Sequence, residues 1–453
     1  MTTLRFYGGV GEIGGNKILL KDKNAKIYLD FGQSFSFGED FFYEWLAPRT
    51  ANGLEVYFEF DLVPKIEGIY SKEMLRFTNM KYKKPNIDGI FISHAHSDHW
   101  GHLPFVDESI PLYIGEFAYN MLEVSKKLYP QFFNYGKHEK IKTFKTGDVI
   151  KVKHLTIEPV HVDHSIPGAY GFIIHTSKGA VVYTGDLRLH GPKAGMTKDF
   201  INKAKKAKPI ALITEGTRMG NDNMPKNATE KDVMEKFDEY MKKAKGLVVA
   251  NLTARNIDRF MSFYKAAVNN KRKVVIDTRT AYLLDNLKQY INCPDVKNDP
   301  NIKVYFRLKK SRDFDEKDYF VWERDYMGKM ITFKEMSKNQ NKLAMMLSFY
   351  SLMELIYIKP VNGSIFIYSL SEHFLEGEDN EEQRTVLMNW LKHFDMKMLK
   401  AHASGHANIN DLNYIIKEIK PKKIIPVHTQ HPELFKKYHK NVVMPKYDKV
   451  LRI

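Results

Sequence analysis

The sequence predicts a mixed α/β protein that contains a separate parallel-sheet unit, and three observations carry the expectation. Short runs rich in Val, Ile, Tyr and Phe, bounded by Gly, Asn and Asp turns, fill the first part of the chain and read as strands. From about residue 195 strand-sized and helix-sized segments alternate regularly, the pattern of βαβ units and hence of a parallel sheet. Of the 453 residues 43% are hydrophobic and 13% aromatic, enough for a substantial core, which excludes a disordered chain. At roughly 100–200 residues per domain, this length implies two or three domains.

Residues 1–31 read as strand, glycine loop, strand, a turn at Asp22-Lys23-Asn24, and a strand ending in Tyr28-Leu29-Asp30. Gly9 to Gly14 matches a dinucleotide-binding GxGxxG string, but such a site needs a helix next, to aim its N-terminus at a pyrophosphate. Lys17 to Asp22 is too short and too strand-like to be that helix, so the dinucleotide reading is set aside. The stretch 145–188 repeats the strand-and-turn pattern, with turns at Thr146-Gly147-Asp148 and Ser177-Lys178-Gly179. Then come a helix over 230–245 closed by Gly246, a strand over 247–252, a helix over 255–268, a strand over 273–277 and another helix. The last part reads as a helix from Glu381 to Leu391, a His/Gly loop, a helix near 409–419 and a strand from Lys423 to Val427.

Seventy Lys and Arg against 54 Asp and Glu leave a net charge of +16, which favours a polyanionic partner. Charge alone leaves nucleic acid, an anionic membrane surface and plain solubility open. Cys293 is the sole cysteine, so an internal disulfide, a thiolate zinc finger and an iron–sulfur cluster are excluded, and a metal must sit on His, Asp or Glu. The N-terminus lacks the pattern of a signal peptide, and no apolar run approaches the roughly 20 residues that span a bilayer. A cytoplasmic protein without membrane attachment is therefore expected.

The sharpest local signal is His94-Ala95-His96-Ser97-Asp98-His99, following the apolar strand Gly89 to Ser93. Four potential ligands in six residues at a strand end can converge from one turn, as a polynuclear metal site needs. Imidazole and carboxylate without thiolate suit zinc or manganese. Further candidates are His161, His164, Asp186 and His428; Asp186 and His428 each end a β run, where a side chain can point at a shared centre.

These residues carry a resemblance. The string His94 to His99, the histidine of His164-Ser165-Ile166-Pro167 and the aspartate of Thr184-Gly185-Asp186 resemble successive signature motifs of the metallo-β-lactamase superfamily. Asp30 resembles its first motif, whose aspartate orients the metal loop without binding metal. The superfamily by itself leaves lactamases, glyoxalase-like thioesterases, lactonases and nucleases open. Glu215 in Leu212 to Thr217, His406 in Ala403 to Ala407, and His428, 22 residues after His406, resemble motifs A, B and C of the β-CASP nucleases. The string His402 to Ala407 is similar to ribonuclease J, and relatives acting on RNA carry His at motif C. The resemblance implies a metallo-β-lactamase αββα sandwich interrupted by a β-CASP α/β domain with a mainly parallel sheet. Its expected limits are 1–194 and 391–453 for the sandwich and 195–390 for the insertion. Three departures stand out: Glu215 where ribonuclease J commonly has Asp, Ser369-Leu370-Ser371-Glu372-His373 in place of a Pro-Gly-Asn-Glu loop, and His428-Thr429-Gln430 in place of His-Gly-Glu. The short stretch after His428 resembles archaeal-type enzymes that lack a C-terminal domain.

By the resemblance, His94, His96 and His164 hold one Zn2+, Asp98, His99 and His428 hold a second, and Asp186 bridges them, with Mn2+ as the other metal the donors suit. Asp98 would also help deprotonate the attacking water, His406 would serve the leaving oxygen and Glu215 would orient His406. Thr253, Arg255, Asn256 and Arg259 open a helix after a strand, a geometry that presents N–H groups to phosphate, and with Ser404 they are expected to form a 5′-phosphate pocket. Clusters at Lys81 to Lys84, Lys271 to Lys273 and Lys309 to Arg312 are expected to track RNA. The aromatic stretch Phe35 to Trp45 is read as core cover or a homodimer contact in preference to base stacking, and His102, His161 and His402 as structural. The resulting expectation is a two-zinc ribonuclease acting 5′ to 3′ on single-stranded 5′-monophosphorylated RNA. The alternatives are an RNA endonuclease, a thioester or lactone hydrolase, and an inactive RNA-binding protein.

Overall fold

Alternating buried and half-exposed positions make Thr2–Phe6 the strand the sequence predicts, with Leu4 and Phe6 facing inward. A computed structural model describes residues 1–43, 45–220, 228–371 and 380–453. The chain forms two units, Met1–Met224 with Gly405–Ile453, and Pro225–Ser404.

The first unit holds two sheets. One runs, in spatial order, Val450–Arg452, Thr2–Phe6, Ile18–Asp22, Ala25–Leu29, Gly89–Ile92, Leu112–Gly115 and Ile141–Phe144. Its first four strands are antiparallel and the rest are parallel. The other runs Ile424–Pro426, Ala211–Thr214, Gly179–Tyr183, Ala169–Thr176, Leu155–Val162 and Ile150–Val152, parallel through its first three strands. Leu4, Phe6, Leu20 and Ile27 from one sheet and Ile157, Phe172, Val181 and Ile213 from the other fill the space between them. Helices Ala194–Lys206 and Ile409–Ile419 cover the outer face of the second sheet through Phe200, Ile415 and Ile416. Helix Glu116–Leu128 packs on strand Leu112–Gly115, completing the αββα order. Ile409–Ile419 takes its place because Leu412, Ile415, Ile416 and Ile419 recur at helical spacing; the Asn408 side chain caps its start by accepting from Asp411 N–H.

The second unit is one seven-stranded parallel sheet in the order Met330–Ile331, Ile302–Tyr305, Lys273–Asp277, Leu343–Met346, Val248–Asn251, Ile365–Tyr368 and Lys397–Lys400. Val248–Asn251 and Leu343–Met346 are buried at every position, as central strands covered on both faces must be. The expected helix over 230–245 is Glu230–Lys243, opened by a Thr229/Asp232 capping box. The expected helix over 255–268 is Ile257–Asn269.

The joints between the units lie elsewhere than at 194 and 390. Strand Ala211–Thr214 pairs with Gly179–Tyr183 and Ile424–Pro426, so it belongs to the sandwich and the first joint falls after Met224. Lys397–Lys400 pairs with Ile365–Tyr368, so the insertion continues to Ser404.

A buried ion pair ties the second unit together. The Arg259 guanidinium, 1% exposed, donates to both Glu230 carboxylate oxygens at 2.8 and 2.9 Å. It also donates to the carbonyl and hydroxyl of Ser369 and to the Ala403 carbonyl. Removing one partner of such a pair strands the other charge in the core. Glu230→Ala is expected to destabilise this unit by about 3–5 kcal/mol, read as a lower denaturant midpoint, and Glu230→Met with Arg259→Met is expected to recover much of the loss.

Candidate metal centre

The apolar strand Gly89–Ile92, buried throughout, delivers Ser93 and His94 to the C-terminal edge of its sheet, and one turn of helix, Ser97–Trp100, presents Asp98 and His99. Across the sandwich, Gly179–Tyr183, Ala211–Thr214 and Ile424–Pro426 run parallel and end just before Asp186, Glu215 and His428. The ligand atoms of His94, His96 and His164 form one group and those of Asp98, His99, Asp186 and His428 another, each with all its atoms within 4.8 Å of one another. Asp186 Oδ2 lies 3.1 Å from His99 Nε2, 3.6 Å from His94 Nε2, 3.6 Å from His428 Nε2 and 3.9 Å from His164 Nε2. The structure thus brings together all seven residues expected to bind metal.

Hydrogen bonding turns one nitrogen of each ring away from the centre. The Nδ1–H groups of His99 and His164 donate to Asp30 Oδ2 and the Gly405 carbonyl, both at 2.7 Å, and the Nδ1 atoms of His94 and His428 lie 3.0 and 2.8 Å from Ser93 Oγ and Thr217 Oγ1. Their Nε2 atoms therefore converge inward. His96 is turned the other way, with Nδ1 3.0 Å from His94 Nε2 and 3.1 Å from His164 Nε2. Converging lone pairs repel one another unless a cation lies between them. Asp186 Oδ1, buried and without a hydrogen-bond partner among the described residues, is a further donor in need of one. Nitrogen and carboxylate donors whose outer nitrogens are already engaged fit a divalent cation.

Electrostatics agree with this. Burial holds His94 and His164 well below the usual imidazole range, the neutral form a metal needs. Burial alone would raise Asp98 and Asp186, but the surrounding imidazoles outweigh it and keep both carboxylates ionised. His99 is the exception: burial lowers it, but Asp186, Asp98 and Asp30 outweigh burial and push it well above the usual imidazole range, toward the protonated form that metal binding must displace.

Asp30 holds the His94 to His99 loop without joining the donor groups. Oδ1 accepts Ser93 N–H at 2.7 Å, and Oδ2 accepts the Ser93 hydroxyl, His99 Nδ1–H and the Tyr183 hydroxyl at 2.9, 2.7 and 2.6 Å. Asn16 Nδ2–H donates to Tyr183 in turn. The turn Glu215-Gly216-Thr217 serves two histidines. Glu215 Oε2 accepts His406 Nδ1–H at 3.0 Å, with Oε1 held by Leu187 N–H, and Thr217 takes His428. Burial opposes charge on His406, but Glu215, Asp186 and Asp98 push it up to about 9. Asn16, Tyr183 and Thr217 were missed by sequence reasoning because no periodicity or ligand spacing marks a hydrogen-bond partner. The glycine string set aside above packs on the centre instead: a Cβ on Gly14 would meet Asp98 Cβ at 2.9 Å, and the Gly9 carbonyl accepts His428 N–H.

The expected phosphate pocket fares differently. Thr253 is exposed, and Arg255 and Ser404 are half-buried. Asn256 Oδ1 accepts Arg259 N–H as the helix cap. Arg259 itself is buried and committed to Glu230 and to backbone carbonyls, so it is no phosphate ligand. Of the Ser369 to His373 loop, Glu372 and His373 lie outside the described residues. The lysine runs are also partly spent: Arg272 donates to the carbonyls of Gly246, Leu343 and Ala244, Lys309 pairs with Glu323 and Lys83 with Glu67. In the aromatic stretch, Phe41 stacks on Phe60, and Phe37 meets Tyr57 at a tilt and His102 edge-on, while Trp45 is 96% exposed.

Residues 64–243 match the family described as Beta-lactamase superfamily domain, and residues 395–445 the one described as Zn-dependent metallo-hydrolase RNA specificity domain. The fold and the paired donor groups define a metallo-β-lactamase-fold protein with a β-CASP insertion. Within that class the chain is similar to ribonuclease J. It is 23% identical over 443 residues to Ribonuclease J of Helicobacter pylori (strain ATCC 700392 / 26695), covering 94% of this chain and 55% of the relative. It is 22% identical over 435 residues to Ribonuclease J of Mycoplasma pneumoniae, covering 95% and 68%. The chain thus spans about half the length of the Helicobacter relative. A crystal structure of a protein of unknown function from Enterococcus faecalis V583 shares the fold over 100% of both chains, with a TM-score of 0.77 and 23% identity.

Loss of a hydrogen-bond partner behind a ligand typically costs 10–100-fold in metal affinity. Asp30→Ala and Thr217→Val are each expected to weaken metal binding by about that factor, measured by competition with a chromogenic chelator. Thr217→Ser is expected to restore it.

Proposed function

We propose that the chain is a ribonuclease holding two Zn2+ ions, which acts 5′ to 3′ on single-stranded 5′-monophosphorylated RNA. One observation carries the reading: the group Asp98, His99, Asp186 and His428 abuts the group His94, His96 and His164, with Asp186 Oδ2 3.6 and 3.9 Å from the Nε2 atoms of His94 and His164. When bound, the two metals supply Lewis acidity and an acidified water for in-line attack on a phosphodiester. His94, His96 and His164 would hold one metal, Asp98, His99 and His428 the other, and Asp186 both.

The remaining steps belong to the chain's own groups. Asp98 Oδ2, 2.9 Å from His428 Nε2, stands at the inner edge of the cluster, where it can take a proton from the attacking water. His406, partly exposed beside the His164 and His428 rings, keeps its proton because Glu215 and Asp186 face it. Glu215 fixes Nδ1, which leaves Nε2–H to protonate the departing 3′ oxygen. The products are a 5′-phosphate and a 3′-hydroxyl. The relatives named Ribonuclease J, the RNA specificity description of residues 395–445 and the +16 charge support RNA over a thioester or lactone. No helix among the described residues is long and apolar enough to cross a membrane.

Zinc-loaded protein incubated with 5′-monophosphorylated, 3′-labelled single-stranded RNA is expected to release mononucleotides from the 5′ end, with Asp98→Ala inactive and depleted in metal. His406→Ala is expected to keep its metal and lose about 10²–10⁴-fold in kcat. Internal fragments would establish the endonuclease; intact RNA with two zincs bound would exclude nuclease action and turn attention to thioesters and lactones.

A further inference from the structure

The chain's positive charge is concentrated at one place. Segments 203–209, 417–423 and 436–441 together hold eleven lysines and a single carboxylate, Glu418. Twenty residues therefore supply a surplus of ten of the chain's sixteen net charges. They are far apart in sequence but laced together in the first unit. Lys422 N–H donates to the Pro209 carbonyl and Leu212 N–H to the Lys423 carbonyl. His439 Nε2–H donates to the Pro421 carbonyl, Asn441 Nδ2–H to the Lys422 carbonyl, and Lys205 pairs with Glu418. Nine of the eleven lysines, Lys203 and Lys423 excepted, are exposed.

The patch lies at the opposite end of the sheet from the metal centre. Segments 203–209 and 417–423 lead into the N-terminal ends of the parallel strands Ala211–Thr214 and Ile424–Pro426, whose C-terminal ends deliver Glu215 and His428. The strand Ala211–Thr214 and the turn before it separate Lys208 from Glu215, a span of up to about 20 Å. Helix C-termini attract cations, but that effect falls off within the last turn. It accounts for Lys203, Lys205, Lys206 and Lys417, for Lys420 at the end of Ile409–Ile419, and for Lys436 and Lys437 in the last turn of the 3-10 helix Pro432–Lys437, and leaves Lys208, Lys422, Lys423 and Lys440 unexplained. Packing like charges together opposes folding, so the surface is built for a polyanion.

We propose that this lysine surface is a second RNA site, which holds the phosphate backbone of the substrate away from the point of cleavage. The proposal rests on the ribonuclease reading above. Lysine presents point charges without base selectivity, so the site grips RNA length and not sequence. The three segments expose no apolar side chain to insert among lipids, which favours RNA over a membrane surface.

The test replaces Lys206, Lys417, Lys422 and Lys437 together by Gln, with the same four positions changed to Arg as the charge-preserving control. The metal ligands are untouched, so zinc content and turnover of a 5′-phosphorylated trinucleotide should match the parent. For a long single-stranded RNA the Gln variant should show KM raised about 10–100-fold at low salt, with kcat retained. The slope of log affinity against log salt should fall by about 2–3, at roughly 0.7 for each phosphate no longer neutralised, and the Arg variant should behave like the parent. Binding is read by fluorescence anisotropy in a His406→Ala background, alongside vesicles containing phosphatidylserine. A Gln variant with unchanged KM and salt slope on long RNA would overturn the second site while leaving the ribonuclease intact. Loss of vesicle binding alone would reassign the surface to membranes. Failure of the parent protein to bind or cleave RNA would remove the ribonuclease reading and this site together.

Discussion

The structure turns on keeping one carboxylate ionised at the bottom of a ring of imidazoles. Asp186 Oδ2 has a nitrogen of His94, His99, His164, His406 and His428 within 4 Å. A buried charge is tolerated only when paired, and the rings that turn Nε2 inward cannot all point lone pairs at it and at one another without a cation. The pairing of donors and the choice of tautomer are therefore parts of one arrangement. Asp30 and the Gly405 carbonyl each take an Nδ1–H, and Ser93 and Thr217 hold the Nδ1 of His94 and His428, which turns each Nε2 to the centre.

That demand shapes the backbone. Asp30 and His428 both sit in the left-handed region, at φ 58° and 54°, a cost of order 1–3 kcal/mol for each. Each is over-determined by its neighbours: Asp30 by four donors, and His428 by the Gly9 carbonyl at its N–H and Thr217 at its ring. Close packing sets the third constraint. A Cβ on Gly32 would stand 1.6 Å from the Asp98 carbonyl, so the strand-end loop carrying Asp30 can lie against the metal helix only as glycine. The ordinary αββα core, with its aliphatic residues between the sheets, is what holds these unfavourable local conformations in place.

The residues of the donor cluster were legible in the sequence because strand ends leave a sharp trace. An apolar run followed by His, Asp or Glu marks a side chain at a sheet edge, and His94, Asp186, Glu215 and His428 all follow that rule. The β-CASP sheet was legible in the same way, from alternating helix and strand periods. Its limits were not, since Ala211–Thr214 has the composition of either sheet and only its pairing partners decide. Arg259 shows the opposite failure. At the start of a helix after a strand it reads as a phosphate ligand, and nothing local reveals that Glu230 lies beneath it. Side chains whose partners come from distant segments, such as Thr217 on His428 or Asn16 on Tyr183, leave no one-dimensional pattern at all.

Charge behaves likewise. The lysine runs visible as runs are partly neutralised by Glu67, Glu323 or backbone carbonyls, while the dense surface is assembled from three segments, none of them conspicuous alone. Its distance from the metal centre decides what it can do. At physiological salt an exposed charge is screened within about 8 Å, so lysines up to about 20 Å away cannot stabilise charge at the reacting phosphorus or shift Asp98 or His406. They can act only by touching a substrate long enough to reach both ends of the sheet. On the ribonuclease reading, affinity for such a substrate is thereby separated from chemistry: the buried carboxylates and histidines would set the rate at one phosphate, and the exposed lysines how long the polymer stays bound.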